Sequence, residues 1–121
     1  MDSRDAQIID KILRYCNEIM GTHEREHFDK AFFFDAERGY SYRNAIAMPL
    51  LQIGELVKHL SAEFQETHTD IPWRKIIRMR DYFAHHYWAV DYHLVWSTSI
   101  ENIKSLTDYL EKIATSNHTQ I

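Results

Sequence analysis

Apolar residues recur at helical spacing along this chain, and no stretch alternates apolar with polar as a half-buried strand would. Ile8, Ile9, Ile12, Leu13, Cys16, Ile19 and Met20 predict a first helix, with Ser3 as its cap and Gly21 as its end. Thr22 is placed to cap a short second helix. Phe32, Phe33 and Phe34 are expected to turn inward where the chain reverses near Gly39. A long helix is then predicted from about Ser41 to Phe64, carrying Ala45, Met48, Leu51, Ile53, Leu56, Val57, Leu60 and Phe64 on a broad apolar stripe. Pro49 should kink that helix or mark its true start. Gly54 weakens it in the middle, which points to a close approach by another helix. Asp70 or Ile71-Pro72 opens the next helix, with Trp73, Ile76, Ile77 and Ala84 on its apolar side and Trp88 as an extension. Asp91 to Trp96 reads as a junction. Ser97 or Thr98 caps a last helix bearing Ile100, Ile103, Leu106, Leu110 and Ile113. The expected fold is all-α: one domain over residues 1–121, a bundle of four or five helices with the long ones antiparallel.

The 121 residues are enough for one core and leave no room for a second. Cys16 is the only cysteine, so no intramolecular disulfide or thiolate zinc site can form, and its place on an apolar face makes it a buried small residue. The opening residues lack the basic-then-apolar order of a signal peptide, and the longest apolar run, Ala45 to Leu51, is too short for a membrane span. A cytoplasmic protein is expected. The net charge of −4 argues against a general nucleic-acid coat protein. Its distribution is uneven: residues 1–70 carry 8 Lys/Arg against 13 Asp/Glu (−5), residues 71–90 carry 4 against 1 (+3), and residues 91–121 carry 2 against 4 (−2). A basic patch on an acidic body can still hold a polyanion through a few salt-sensitive contacts.

That patch contains Arg80-Asp81-Tyr82-Phe83-Ala84-His85-His86-Tyr87, an R-x4-H-x-Y pattern. Arginine offers a permanent charge and a planar fork of donors suited to phosphate, and histidine exchanges a proton near neutral pH. Together they suit chemistry on a phosphodiester; the alternative is that a helix of this length carries an Arg and a His as ordinary surface residues, since short motifs also match by accident. On a regular helix, with Arg80 at zero, Asp81 lies at about 100°, His85 at about 140° and Tyr87 at about 340°. Arg80 and His85 therefore do not converge unless the helix loosens near His85 or a second protomer's copy completes the site. His86, at about 240°, is expected to be a supporting or solvent-facing residue. A second pattern, His23-Glu24-Arg25-Glu26-His27, matches the H-E-x-x-H zinc-hydrolase signature. Its surroundings are charged almost all round, as on a solvated face, and no metal is expected there.

With these residues the sequence resembles the HEPN superfamily, and within it the HepT-type ribonuclease toxins. Gln52-Ile53-Gly54-Glu55 falls where that family carries an I-G-E element, and Ile71-Pro72-Trp73 matches its I-P-W lead-in to the catalytic helix. Val90-Asp91 and Trp96 match a downstream V-D step and Trp. The elements come in family order over essentially the whole chain. The resemblance implies an all-α homodimer with two motifs facing each other across a cleft, and an endoribonuclease that needs no metal or other cofactor. It implies His85 as acid/base, Arg80 as the ligand of phosphate and transition state, and Asp81 as the polar residue that positions its neighbours. It also implies a minimal nucleotidyltransferase antitoxin as partner, which uses ATP to transfer AMP to Tyr87, and RNA, such as tRNA or mRNA, as substrate. Many relatives have Asn where this chain has Asp81; a carboxylate there can orient His85 but repels phosphate. A non-catalytic helical module that binds the nucleotidyltransferase and is modified by it is the alternative expectation.

Overall fold

A computed structural model describes residues 1–119, including all their side chains except those of Tyr87 and residues 116–119. Among the described residues there is no strand, and the fold is all-α. Four long helices make the bundle: α1 (Ser3–Arg25), α3 (Tyr40–Lys58), α5 (Trp73–His85) and α7 (Ile103–Thr119). Three short ones connect them: α2 (Lys30–Phe33), α4 (Ala62–Thr67) and α6 (Tyr92–Ser97).

Helix α1 buries Ile8, Ile9, Ile12, Cys16 and Ile19, the stripe its periodicity predicts. Its cap is Asp2 rather than Ser3, with the Asp5 amide donating to Asp2 Oδ1 at 2.7 Å. Neither Gly21 nor Thr22 interrupts it. The Thr22 hydroxyl donates back to the Glu18 carbonyl at 3.0 Å, and the helix runs on to Arg25. It then turns through His27 and Phe28, both left-handed (φ 55° and 53°), where glycine would normally stand. The Phe28 amide closes this turn on the His23 carbonyl.

The predicted helix over 41–64 is two helices. α3 ends at Lys58, and Ser61 caps α4, its Oγ accepting from the Phe64 amide. The break is fixed from outside: buried Asp5 of α1 accepts from both the amide (2.9 Å) and the hydroxyl (2.6 Å) of Ser61. At the opposite end of the same pair, His23 of α1 meets Tyr42 of α3, so α1 and α3 run antiparallel. Pro49 lies inside α3 and is buried. The inward face of α3 is Ile46, Leu50, Ile53 and Val57. Met48 and Ala45, predicted on the apolar stripe, point to solvent, and Leu51 and Leu56 are half-buried.

Helix α5 stops at His85, since His86 leaves helical geometry (φ −129°, ψ 42°) and Tyr87–Ala89 form a single 3-10 turn. Trp88 therefore does not extend α5. The expected junction over 91–96 is helical instead. Asp91 caps α6 through the His93 and Leu94 amides, and a π-helical turn over Thr98–Asn102 joins α6 to α7. Val95, Ile103, Leu106 and Leu110 from this C-terminal unit complete the core against α1 and α3. Burial pushes the Cys16 thiol up to about 11, which leaves it no nucleophilic character near neutral pH.

Candidate active site

Helix α5 lies against α3, and Arg80 packs directly over Gly54. A Cβ on Gly54 would stand 2.3 Å from Arg80 Cβ and 2.7 Å from Arg80 Cγ. Only a residue without a side chain lets the stem of Arg80 cross α3 here. The guanidinium emerges beside the next turn of α3. Its Nη2 is 3.0 Å from Glu55 Oε2, and its Nη1 donates to Asp81 Oδ1 at 3.3 Å. Lys58 Nζ is 2.5 Å from the same Asp81 oxygen, and His59 Nε2 is 3.5 Å from Glu55 Oε1. Two carboxylates and two permanent cations thus form one cluster across the α3–α5 seam. The hydrogen bond from Lys58, followed by that from Arg80, holds the Asp81 carboxyl below its ordinary range.

The contact between Arg80 and Glu55 is an ion pair without hydrogen-bond alignment: Glu55 Oε2 is shielded from solvent, and no donor points at it. The N–H fork of Arg80 is held in place by charge while its donors remain uncommitted to that carboxylate. Among the described residues, its one hydrogen bond to a carboxylate is the donation of Nη1 to Asp81 Oδ1.

The structure brings Arg80 and Asp81 together, but it does not bring His85 to them. His85 is the last residue of α5, exposed, and among the described residues its side chain makes no hydrogen bond or ion pair. It is five positions beyond Arg80, about 7.5 Å along the axis and about 140° around it. The helix ends immediately after His85, but His85 itself is still helical, so this ending does not bring it to Arg80 within one chain. The side chain of Tyr87 lies outside the described residues; its backbone opens the 3-10 turn. His86 is exposed and stacks on Tyr82 at 4.5 Å.

Glu55 and Lys58 belong to the site and were not singled out by the R-x4-H-x-Y pattern. Their signal was their spacing from Gly54: once that glycine is read as the crossing point, the residues one and four places on flank whatever crosses it.

The H-E-x-x-H segment has a different fate from the one its charge predicted. His23 is 1% exposed, not solvated. The Ser99 hydroxyl donates to the Trp96 carbonyl at 2.9 Å, so Ser99 Oγ accepts from His23 Nε2–H at 2.8 Å. His23 Nδ1 then accepts from the Tyr42 hydroxyl at 2.6 Å. Burial lowers the His23 pKa to about 4, keeping the ring neutral. Both its nitrogens are engaged, and His27 lies beyond the helix end, so the two do not form a ligand pair one turn apart. Among the described residues no group of three or more His, Cys, Asp or Glu is arranged to hold a metal ion.

The family model for HepT-like ribonucleases matches residues 6–113, nearly the whole bundle including the α3–α5 seam. The chain belongs to the HepT-like ribonuclease family. A "Putative RNase" from Caldanaerobacter subterraneus subsp. tengcongensis is 33% identical over 91 residues, 68% of this chain and 81% of the relative. The "Probable ribonuclease HepT" of Thermococcus cleftensis is 41% identical over 69 residues, 57% of this chain and 63% of the relative. A "Putative RNase" of Methanocaldococcus jannaschii is 30% identical over 114 residues, covering 93% of this chain and 90% of its own. No solved structure gives a significant match. Family membership supports an endoribonuclease activity. Among the described residues no helix is long and apolar enough to cross a membrane.

Proposed function

We propose that this HepT-like chain is a metal-independent endoribonuclease toxin whose active site is built on Arg80, Asp81 and His85. The observation that carries the proposal is the Gly54 crossing, which anchors Arg80 against α3 with its donors uncommitted to Glu55, five residues before an exposed His at a helix end. RNA supplies its own nucleophile, the 2′-hydroxyl. His85 takes that proton as the oxygen attacks phosphorus, a contribution of typically about 10²–10⁴-fold. Arg80 stabilises the charge that develops on the non-bridging oxygens. His85, protonated in that step, returns the proton to the leaving 5′-oxygen as the P–O5′ bond breaks, and the product is a 2′,3′-cyclic phosphate end. Asp81, pinned by Lys58, orients Arg80 rather than handling protons.

Two features support a homodimeric site. Arg80 and His85 point about 140° apart on one helix, so a copy from a second protomer would complete each half. The outward stripe of α3 beside Glu55 also carries Met48, 49% exposed, and half-buried Leu51, an apolar surface suited to a partner helix. Tyr87, two residues beyond His85, is the proposed acceptor of AMP from an ATP-using nucleotidyltransferase antitoxin in the cytoplasm. A nucleotide attached there would crowd the end of α5 and offer its phosphate to the same cations. Tyr87→Phe should escape neutralisation by that partner.

The ion pairing of Arg80 to two carboxylates favours one second reading, a non-catalytic module that binds and is modified by the nucleotidyltransferase. Cleavage of bulk RNA and tRNA in EDTA by wild type, Arg80→Ala and His85→Ala separates the two. Cleavage by wild type alone, leaving cyclic phosphate, supports the ribonuclease site. Equal activity in all three would place the chemistry elsewhere. No activity in any, with mass spectrometry showing Tyr87 unmodified, would favour the module.

A further inference from the structure

The outer face of α5 carries a pattern that the Arg80 cluster does not use. Lys75, Arg78, Tyr82 and His86 fall at about 220°, 160°, 200° and 240° from Arg80, so they form a single stripe roughly opposite the face that packs on α3. All four are exposed. Two cations come first and two rings follow. The His86 ring stacks on Tyr82 with centroids 4.5 Å apart and planes 19° from parallel. Trp88 continues the row, its ring 6.1 Å from His86 and 83% exposed, the most exposed of the large hydrophobic side chains among the described residues. Tyr82 is itself 49% exposed. The His86 Nδ1 bonds the Tyr82 carbonyl at 3.1 Å, so the stack is tied to the last turn of the helix rather than hanging free. Solvated aromatic faces of this size are costly unless something covers them.

We propose that Tyr82, His86 and Trp88 form a stacking platform for unpaired bases of single-stranded RNA, with Lys75 and Arg78 holding the adjoining phosphates. The proposal rests on the ribonuclease reading above and names the substrate form that the site takes. Cations followed by exposed rings along one stripe suit a surface that follows a single strand, because every base has a π-face and every linkage a phosphate. Exposed rings also occur at protein interfaces; the cations on the same stripe are what favour a polyanion here. In a duplex the bases are stacked on each other and cannot reach the rings. The platform flanks His85, with Tyr82 three residues before it and His86 and Trp88 one and three residues after, so a base seated on it would present its neighbouring phosphodiester to the histidine. Tyr82, His86 and Trp88 are positioning residues that select unpaired RNA, with no part in the proton transfers.

The test is binding of a fluorescently labelled 2′-O-methyl oligoribonucleotide, which cannot be cleaved by its own 2′-oxygen, as a single strand and as a duplex. Wild type should prefer the single strand, and binding should quench emission from Trp88 but not from buried Trp73. Trp88→Ala and Tyr82→Ala should each weaken single-strand binding by about 5- to 150-fold, the usual cost of losing one base–aromatic stack. Tyr82→Phe, which keeps the ring, should bind nearly as wild type does. Duplex binding should change little in all of them. Unchanged single-strand affinity in both alanine variants, or no single-strand preference in wild type, would overturn the platform. So would a change in oligomeric mass on Trp88→Ala, which would make the row a protein interface. Cleavage of the matching 2′-hydroxyl strand is scored separately. Binding without cleavage would sink the ribonuclease reading and leave the platform standing, while cleavage with unchanged binding in the alanine variants would do the reverse.

Discussion

Two histidine motifs in this chain have opposite surroundings, and the contrast separates a structural histidine from a functional one. His23 sits where a charged H-E-x-x-H segment predicts a solvated face, yet it is buried between Tyr42 and Ser99 with both nitrogens bonded and Phe28 and Trp96 against its ring. His85 sits in the basic segment, at the exposed end of α5, with no side-chain partner among the described residues. One ring joins α1, α3 and the π-helical turn. The other keeps its nitrogens available. A proton-transfer role needs the second environment, since a ring locked into one tautomer by two buried neighbours cannot trade protons with a substrate.

The largest effects should come from the exposed motif. His85→Ala is expected to lower RNA cleavage by about 10²–10⁴-fold, and Arg80→Ala by about 10²–10³-fold. The melting temperature of His85→Ala should stay close to that of wild type, because an exposed side chain without contacts contributes within about 0.5 kcal/mol. A large fall in melting temperature for His85→Ala would remove the contrast with His23. Gly54→Ala tests the link between the two helices. Alanine is the better helix former by about 1 kcal/mol, but its Cβ would collide with Arg80 at 2.3 Å. A net loss of about 1–3 kcal/mol in denaturant unfolding is expected, together with a fall in cleavage of about 100-fold as Arg80 is displaced.

His23→Ala should show the converse pattern. It leaves a cavity and strands the Tyr42 hydroxyl, for a loss of about 2–4 kcal/mol, while cleavage per folded molecule stays within a few-fold of wild type. The same residue should make stability depend on pH. Its pKa is about 4 in the fold against 6.5 for the free side chain. The unfolded chain therefore takes up a proton first as pH falls. Stability is complete above about pH 6.5 and declines toward pH 4, by about 1–3 kcal/mol in total. Urea unfolding of wild type and His23→Ala across that window would show the slope in the first and its reduction in the second. The smallest effect is expected from Asp81→Asn. It releases Lys58 and removes one of the two carboxylates on Arg80, which should tighten RNA binding by a few-fold at low salt and change stability by less than about 1 kcal/mol. Weaker RNA binding in that variant would show that orienting Arg80 matters more than freeing its charge.

The all-α class and the buried stripe of α1 were legible from periodicity alone, because residues three and four apart must share a helix face. The basic segment and the spacing of Arg80, Asp81 and His85 were equally plain. Gly54 could be read as a close approach, though not which residue approached. What the sequence could not decide were matters between elements distant along the chain. Asp5 captures Ser61 and splits one predicted helix into α3 and α4. Ser99 and Tyr42 draw His23 inward and carry α1 past Gly21 and Thr22, although local propensity would stop it there. Glu55 and Lys58 join Arg80 only because two helices cross at a glycine. Periodicity reports which face of a helix is apolar, since that depends on a few neighbouring residues. Which polar group is buried, and against which partner, depends on contacts that exist only once the helices have packed.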